Sequence, residues 1–373
     1  MLLQVTIALL IFLCYILLLL ILFGGLLSMK WTRGADPVQL QEVTVVIPYR
    51  NEASHLPGIV ADLLAQNHPS HLYCVIMVND HSTDGSEKLA VSMAGDREGF
   101  IFLDLPGGKE GKKEAIAFAI SLVRTPWVLQ MDADCRVEPG FISSHMHFLA
   151  HHPSELVAGL VTTSESRGGF LEAFERLELF GLNGSGAGSF AAGRPLMCNG
   201  ANLLYSVELY RETRKFDPAG RTGSGDDMFL LIGARKLKRI TAFNPDRDCQ
   251  VRTYPVGTFA DLIRQRIRWG AKSVYYRMPD IQFVAVLVVL ANLLMLLTPL
   301  WMLLYPEYCP LLLLGVGAKL VADFMIMAVV SVRTGQSRTL WWYIPASLIY
   351  PFYMATVITG ALIGRPTWKG RLV

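Results

Sequence analysis

The run from Leu2 to Leu27 limits what this chain can become more than any other stretch, because it is almost unbroken Leu, Ile, Val and Phe. A helix of that length crosses a hydrocarbon core of ~30 Å, and inside hydrocarbon a helix satisfies its own backbone. A cleaved signal peptide is the alternative. No positive charge precedes the run, it is long for an h-region, and no clear small-x-small site follows. Residues 1–29 are therefore read as an uncleaved transmembrane anchor. Lys30 and Arg33 come next, and the positive-inside rule then puts the following domain in the cytoplasm.

Three further apolar stretches, Phe283 to Tyr305, Leu311 to Val332 and Leu340 to Ile363, make residues 281–373 a C-terminal membrane region. Glu307 in the first link and Arg333 with Arg338 in the second fit a path that runs outside and then inside. The third stretch contains Pro345 and Pro351 and leads to Arg365, Lys369 and Arg371. Simple counting puts that basic tail outside, against the rule; a re-entrant or interfacial third segment would remove the conflict, and its topology stays open.

Membrane segments account for a composition that is 52% hydrophobic and only 17% charged over 373 residues. A net charge of +3 is too small to argue for nucleic acid. The six cysteines stand singly, without CxxC or short ladders, which speaks against a zinc site or disulfide framework and fits a reducing compartment.

Between the membrane regions, residues 43–280 read as α/β. Val43 to Ile47 is a β-branched run stopped by Pro48, Leu56 to Gln66 has helical spacing, and Cys74 to Val78 is a second strand. A strand at Ile101 to Leu103, a helix through Ala115 to Leu122 and a strand ending at Asp132 continue the alternation, which predicts βαβ units and a mainly parallel sheet. Ligands of such sheets bind beyond the carboxyl ends of strands, where Pro48 to Glu52, Asp80 and the pair Asp132 and Asp134 all fall. Two carboxylates one residue apart at a strand mouth are costly unless a cation satisfies them, so they suggest a divalent metal on hard oxygen ligands. A strand running out into a polar turn would look the same.

Farther on, Gly169 to Leu182 reads as an amphipathic helix with Phe170, Leu171, Phe174, Leu177 and Phe180 on one side, followed by Gly184 to Gly188 as a flexible turn. Gly223-Ser-Gly225 precedes Asp226-Asp227, which open a helix; acidic residues suit a helix N-terminus through the dipole alone. Phe259 to Trp269 is a further helix.

Familiar nucleotide loops are missing. No GxGxxG follows the first strand, and Gly107-Gly-Lys-Glu-Gly-Lys112-Lys113 fails the P-loop pattern because Pro106 and Lys113 stand where Gly and Ser or Thr belong. His145, His147, His151 and His152 share a helix and read as a solvated face rather than a zinc site.

Taken in order, Val45-Val-Ile-Pro-Tyr-Arg-Asn-Glu52, Val78-Asn-Asp-His-Ser-Thr-Asp-Gly85, Gly111-Lys112, Asp132-Ala-Asp134, Gly225-Asp-Asp227 and Gln265-Arg-Ile-Arg-Trp269 resemble the membrane-bound family-2 glycosyltransferases with a GT-A fold. The resemblance spans roughly 240 residues, a plausible domain size. It implies a Rossmann-like mixed sheet and a nucleotide-sugar donor, a UDP-sugar before a GDP-sugar. Glu52 and Asp80 match positions that hold the base and ribose, and Lys112 matches a nucleotide-contacting lysine, whereas Lys109 and Lys113 read as solvated charges. Asp132 and Asp134 match the pair that binds Mg²⁺ or Mn²⁺, with Asp134 the ligand and Asp132 supporting the metal or the ribose. Asp227 matches the catalytic base of a single inverting displacement, although Gly225-Asp226 stands where the family usually has Thr-Glu. Gln265, Arg268 and Trp269 match Q-x-x-R-W, where Arg268 would pair with the diphosphate and Trp269 would pack under a sugar or the acceptor. Arg266 reads instead as an anchor at the membrane interface.

The motif also occurs in cellulose, chitin and hyaluronan synthases, so the acceptor needs a separate argument. A polymer needs a protein-lined path through the bilayer, and one N-terminal span with about three C-terminal ones are few to build it. A lipid acceptor needs only an interfacial groove, for which the Gly169 to Leu182 helix with Tyr275 and Tyr276 would serve. Transfer of one sugar to a membrane-lipid hydroxyl is the favoured reading, in a bacterial inner membrane, with a processive polysaccharide synthase as the alternative. A silent scaffold would not need Asp134, Asp227 and the motif, and a nucleotidyltransferase would carry a glycine-rich basic signature after the first strand.

Overall fold

The computed structural model of the protein describes residues 2–30, 39–95, 97–164, 168–217, 225–364, 367–368 and 371–372. Arg33, Gly223, Ser224, Arg365 and Lys369 lie outside the described residues. The chain begins with α1 (Leu2–Ser28), then β1 (Val43–Tyr49), α2 (Leu56–Leu64), β2 (Tyr73–Asn79), α3 (Ser86–Ala94), β3 (Phe100–Asp104) and α4 (Lys112–Leu122). It continues with β4 (Trp127–Gln130), β5 (Cys135–Val137), α5 (Phe141–His151), β6 (Leu156–Gly159), β7 (Val161–Thr163) and α6 (Phe170–Ala191). Next come β8 (Leu203–Ser206), α7 (Val207–Thr213), α8 (Asp226–Lys236), β9 (Thr241–Asn244), β10 (Val251–Thr253) and α9 (Phe259–Gly270). The long helices α10 (Pro279–Leu304), α11 (Cys309–Arg333) and α12 (Tyr343–Ile363) follow.

These elements form two compact units. The α/β unit holds residues 30–164 and 197–254, and the helical unit holds 1–29, 165–196 and 255–372. Residues 165–196 and 255–280, adjacent in sequence to the α/β elements, thus cluster with the terminal helices, because α6 and α9 bury their side chains there.

The α/β unit is built on a seven-stranded sheet in the order β3-β2-β1-β4-β8-β6-β9. Strands β3, β2, β1 and β4 run parallel, β8 runs antiparallel to both β4 and β6, and β9 is parallel to β6. A smaller sheet joins β5, β10 and β7. Every residue of β1 is buried, as an apolar β-branched run with few polar positions requires. Val45, Ile47, Val75, Met77 and Leu129 from the strands pack with Ile59 and Leu63 of α2 and Phe141 and Met146 of α5 in one core. Pro48 does not stop β1: the strand runs on to Tyr49, pairing Pro48 with Val78. The β4 ladder ends at Val46, so the missing N–H of Pro48 breaks no pairing on that side.

Among the described residues, the helical unit contains four helices long and apolar enough to cross a membrane: Leu3–Ser28, Pro279–Leu304, Pro306–Arg333 and Ser337–Ile363. The last is helical through Pro351. Tyr15 of α1 donates to Asp323 Oδ1 of α11 at 2.7 Å, and Lys319 Nζ reaches Asp323 Oδ2 at 2.7 Å. Intramembrane charges that are paired in this way hold helices in register.

Helix α6 departs from expectation. Gly184 to Gly188 is no turn but the second half of one helix, Phe170–Ala191. A Cβ on Gly184 would lie 2.4 Å from Ile326 Cγ2, and one on Gly188 would lie 2.0 Å from the Leu22 carbonyl oxygen. The glycines are there so that α1 and α11 can approach the α6 backbone, the small-residue packing found between membrane helices. Nor is the first half amphipathic: every residue from Glu172 to Phe180 is buried, including the charged ones.

Candidate active site

The carboxyl ends of β1, β2 and β4 carry Glu52, Asp80, Asp132 and Asp134, while Asp226 and Asp227 come from the first turn of α8. Asn51 and His81, just past β1 and β2, both adopt left-handed backbone (φ 51° and 54°), which is uncommon for non-glycine residues and typical of loops held in place for a function. Asn51 Oδ1 accepts from the Thr83 amide at 2.8 Å, and the Asn51 amide donates to Ser82 Oγ at 3.0 Å, so the two strand-end loops brace each other. Arg50 donates to the Asp80 carbonyl at 2.7 Å.

Asp80 is almost wholly buried, 1% exposed. Its Oδ2 accepts from the Gly111 amide at 3.1 Å, and Arg50 lies 3.9 Å from Oδ1. The aspartate thereby sets the start of α4. His81 makes a second tie to that loop through the Lys109 carbonyl at 3.0 Å. A cation in the first turn of a helix works against the helix dipole, so Lys112 needs acidic neighbours. Its Nζ lies 2.5 Å from Asp132 Oδ1. Burial disfavours the Lys112 ammonium, but Asp132, with Asp226 and Asp227, outweighs it and holds the lysine above its ordinary range. Lys113, expected to be solvated, instead forms a partly buried ion pair with Asp217; α4 carries it beneath the surface rather than out to water.

Asp132 and Asp134 follow β4, both half-buried. Burial, then the charges of Asp132 and Glu52, push the Asp134 carboxyl up to about 6, against opposing contributions from His55 and Lys112. Glu52 bonds His55 Nδ1 at 2.7 Å, and the His55 ring stacks on Tyr254 at 4.6 Å. Asp134, whose ionisation is held back among these carboxylates, is a donor that a divalent cation would relieve. Among the described residues no three His, Cys, Asp or Glu side chains are grouped to hold a metal by themselves. The pair fits an ion that keeps ligand positions for phosphate oxygens and water, the habit of Mg²⁺.

Asp226 and Asp227 occupy the first turn of α8. Asp227 Oδ2 accepts from the Gly200 amide at 3.0 Å and Oδ1 from the Met228 amide at 2.8 Å. Asp226 Oδ2 accepts from Gln130 Nε2 at 2.6 Å, and Tyr205 donates to Gln130 Oε1 at 2.9 Å. A Cβ on Gly200 would sit 2.9 Å from Gln130 Nε2 and 3.3 Å from Asp227 Cβ, so glycine is what lets this loop close on the aspartate. Gln130, Gly200, Arg50 and His55 were not singled out from the sequence. The polar Gln130 closing an apolar strand was the available signal.

His145, by contrast, is fully buried rather than solvated, bonding Asn202 at 2.8 Å. Burial lowers it to about 4 against the opposing Asn202 bond, so it is a neutral structural group.

Gln265, Arg268 and Trp269 belong to the helical unit, on α9. Thr258 caps that helix by accepting from the Asp261 amide at 3.1 Å. Spacings of three and four residues put the three side chains on one face, and all are half-buried. Arg266 is buried, not an interface anchor: it is 5% exposed and ion-paired with Glu178.

The chain is similar to a solved mannosyltransferase, PcManGT from Pyrobaculum calidifontis in complex with GDP-Man and Mn²⁺, with a TM-score of 0.60 over 96% of this chain and 99% of that one, at 16% identity. That likeness concerns the fold. Over 114 residues it is 29% identical to proteins named undecaprenyl-phosphate 4-deoxy-4-formamido-L-arabinose transferase from Yersinia pestis (strain Pestoides F) and Yersinia pseudotuberculosis serotype O:3 (strain YPIII). The match takes in 29% of this chain and 33% of each relative, about a third of their length. The family model described as glycosyltransferase like family 2 matches residues 41–271, more than half of the chain. With its mixed sheet, strand-end acids and apolar helices, the protein belongs to glycosyltransferase family 2.

Proposed function

We propose that the protein is an inverting glycosyltransferase that moves one sugar from a nucleotide-sugar donor to a membrane lipid, in a bacterial inner membrane with the α/β unit in the cytoplasm. The observation that carries this reading is the charge arrangement beyond β4, where Lys112 meets Asp132 while Asp134 is crowded by Asp132 and Glu52. Such a site suits a ligand that brings both phosphate and a divalent cation.

Asp134, supported by Asp132, would hold Mg²⁺ or Mn²⁺, which when bound supplies Lewis-acid neutralisation of the charge left on the departing nucleotide diphosphate. Lys112 adds a fixed positive charge beside the same oxygens. Glu52 and Asp80 hold the nucleoside, Glu52 through its carboxylate and Asp80 largely through the Gly111 loop that it fixes. Asp227 takes the proton of the attacking acceptor hydroxyl; its two amide hydrogen bonds fix its aim. One in-line displacement inverts the anomeric carbon. By the motif they share with the family, Arg268 pairs with the diphosphate, Gln265 assists, and Trp269 packs under the sugar or acceptor.

A UDP-sugar is the first candidate donor. The relatives' name includes undecaprenyl phosphate, which favours a lipid acceptor over a growing polysaccharide. Four candidate spans among the described residues also suit a lipid-side groove better than a polymer channel.

The test is a membrane assay with a panel of labelled nucleotide sugars and Mn²⁺ or Mg²⁺, followed by lipid extraction. Label in a discrete glycolipid is the expected result; ethanol-insoluble polymer would overturn the acceptor assignment.

A further inference from the structure

In the motif on α9, the first of the two variable positions is filled by Arg266, which is tied to several neighbours at once. Arg266 Nε donates to Glu178 Oε2 of α6 at 2.9 Å, and Nη2 lies 2.8 Å from the same oxygen. The other oxygen, Glu178 Oε1, accepts from Tyr353 Oη of α12 at 3.0 Å. Nη1 donates to Gln265 Oε1, and the guanidinium carbon stands 4.2 Å from the centre of the Trp269 ring. Glu175, 3.9 Å from Nη2, accepts from the Val256 amide at 3.0 Å and so ties down the segment leading into α9. Arg266, Glu175 and Glu178 are 5%, 3% and 9% exposed.

A buried ion pair adds little net stability compared with apolar side chains of the same size, so stability alone does not explain this one. What the guanidinium supplies is geometry. Its planar fork meets a carboxylate, an amide oxygen and an aromatic face at once, which a lysine ammonium cannot do. We propose that Arg266 is a positioning residue that sets Gln265 and Trp269 for sugar transfer by bolting them to Glu178 and, through it, to Tyr353 of the membrane helix α12. The inference rests on reading the motif as part of the transfer machinery.

The experiment uses the full chain in detergent or nanodiscs. Replacing Arg266→Met together with Glu178→Gln removes both charges of the closer pair, while Glu175 keeps its Val256 amide hydrogen bond and the nearby charge of Arg176. The expected result is a fall in kcat of ~10- to 100-fold, the scale of a small misplacement of binding groups, with the unfolding temperature little changed. Trp269 emission, taken as the difference between each protein and its Trp269→Phe counterpart, should shift to longer wavelength. Arg266→Lys should retain the charge pair yet recover neither the rate nor the emission, whereas a purely structural charge would be rescued. Tyr353→Phe should cost roughly threefold, the scale of one hydrogen bond. Wild-type kcat and emission in Arg266→Lys would overturn the proposal. If the double variant does not fold, Arg266→Lys and Tyr353→Phe still decide it. If the wild-type protein transfers no sugar from any donor, the reading of the reaction falls separately, and unchanged Trp269 emission in Arg266→Lys would still overturn the positioning role.

Discussion

At the strand ends of the α/β unit, Asp132 and Glu52 crowd Asp134, with Lys112 reaching Asp132. In the helical unit, Glu178 has both oxygens engaged by Arg266 and Tyr353, and Asp323 has both engaged by Lys319 and Tyr15. The residue types match while the electrostatics are opposed. Acids that fold crowded together keep a high-energy arrangement that a cationic ligand can relieve, whereas acids folded against their own cations fix helix geometry. The difference separates a reacting site from a frame without any appeal to residue identity.

The comparison is broken most severely if the crowded acids do not need a cation. Chelation of divalent ions, or Asp134→Asn, should lower transfer ~10³-fold, the effect of several kcal/mol of lost transition-state stabilisation. A labelled-sugar assay run with and without chelator reads this directly, and an unchanged rate would undo the contrast. Next in size is Lys112→Met, which leaves Asp132 without its cation. Donor KM should rise ~10- to 100-fold, as expected for a lost charge-assisted contact, with a smaller change in kcat. Steady-state kinetics across donor concentration separate the two.

On the frame side, Gly184→Val should destabilise the helical unit by about 1–3 kcal/mol through overpacking against Ile326 and Val330. Thermal unfolding in detergent measures it; an unchanged midpoint would mean that α11 does not need the bare α6 backbone.

The smallest effect concerns pH. The Asp134 carboxyl is raised from an ordinary 3.8 to about 6, so the metal-free fold binds its proton more tightly than the unfolded chain does. Stability from this group is therefore lost as pH rises from about 4 to about 6, by on the order of 1–2 kcal/mol. His145 acts in the opposite sense: it is lowered to about 4, and its contribution is lost as pH falls from about 6.5 towards 4. Denaturant titrations of metal-free protein at pH 4 and pH 7 should find Asp134→Asn more stable than wild type only at the higher pH. Equal differences at both values would remove the crowding argument.

What could be read from the sequence follows the same division. Strands β1, β2 and β4 are apolar runs that end in acids, and both the sheet and the positions of Glu52, Asp80, Asp132 and Asp134 follow from that pattern. The glycines of α6 could not be read, because a flexible turn and a close helix crossing use the same residue, and only the arrival of Leu22 and Ile326 distinguishes them. Arg266 and His145 were misjudged for a related reason. A polar side chain on a helix looks solvated until its partner, Glu178 or Asn202, is folded against it. Pro48 stays within β1 because its neighbour on one side has already ended. Local chemistry was legible; what each segment meets was not.

The most direct measurement is sugar transfer by Asp227→Asn beside its donor affinity, both with Mn²⁺ present. The expected outcome is donor binding within about twofold of wild type and transfer reduced ~10²- to 10⁴-fold, the range of a lost general base. Transfer at the wild-type rate by that variant would contradict the assignment of the base to Asp227 at the start of α8.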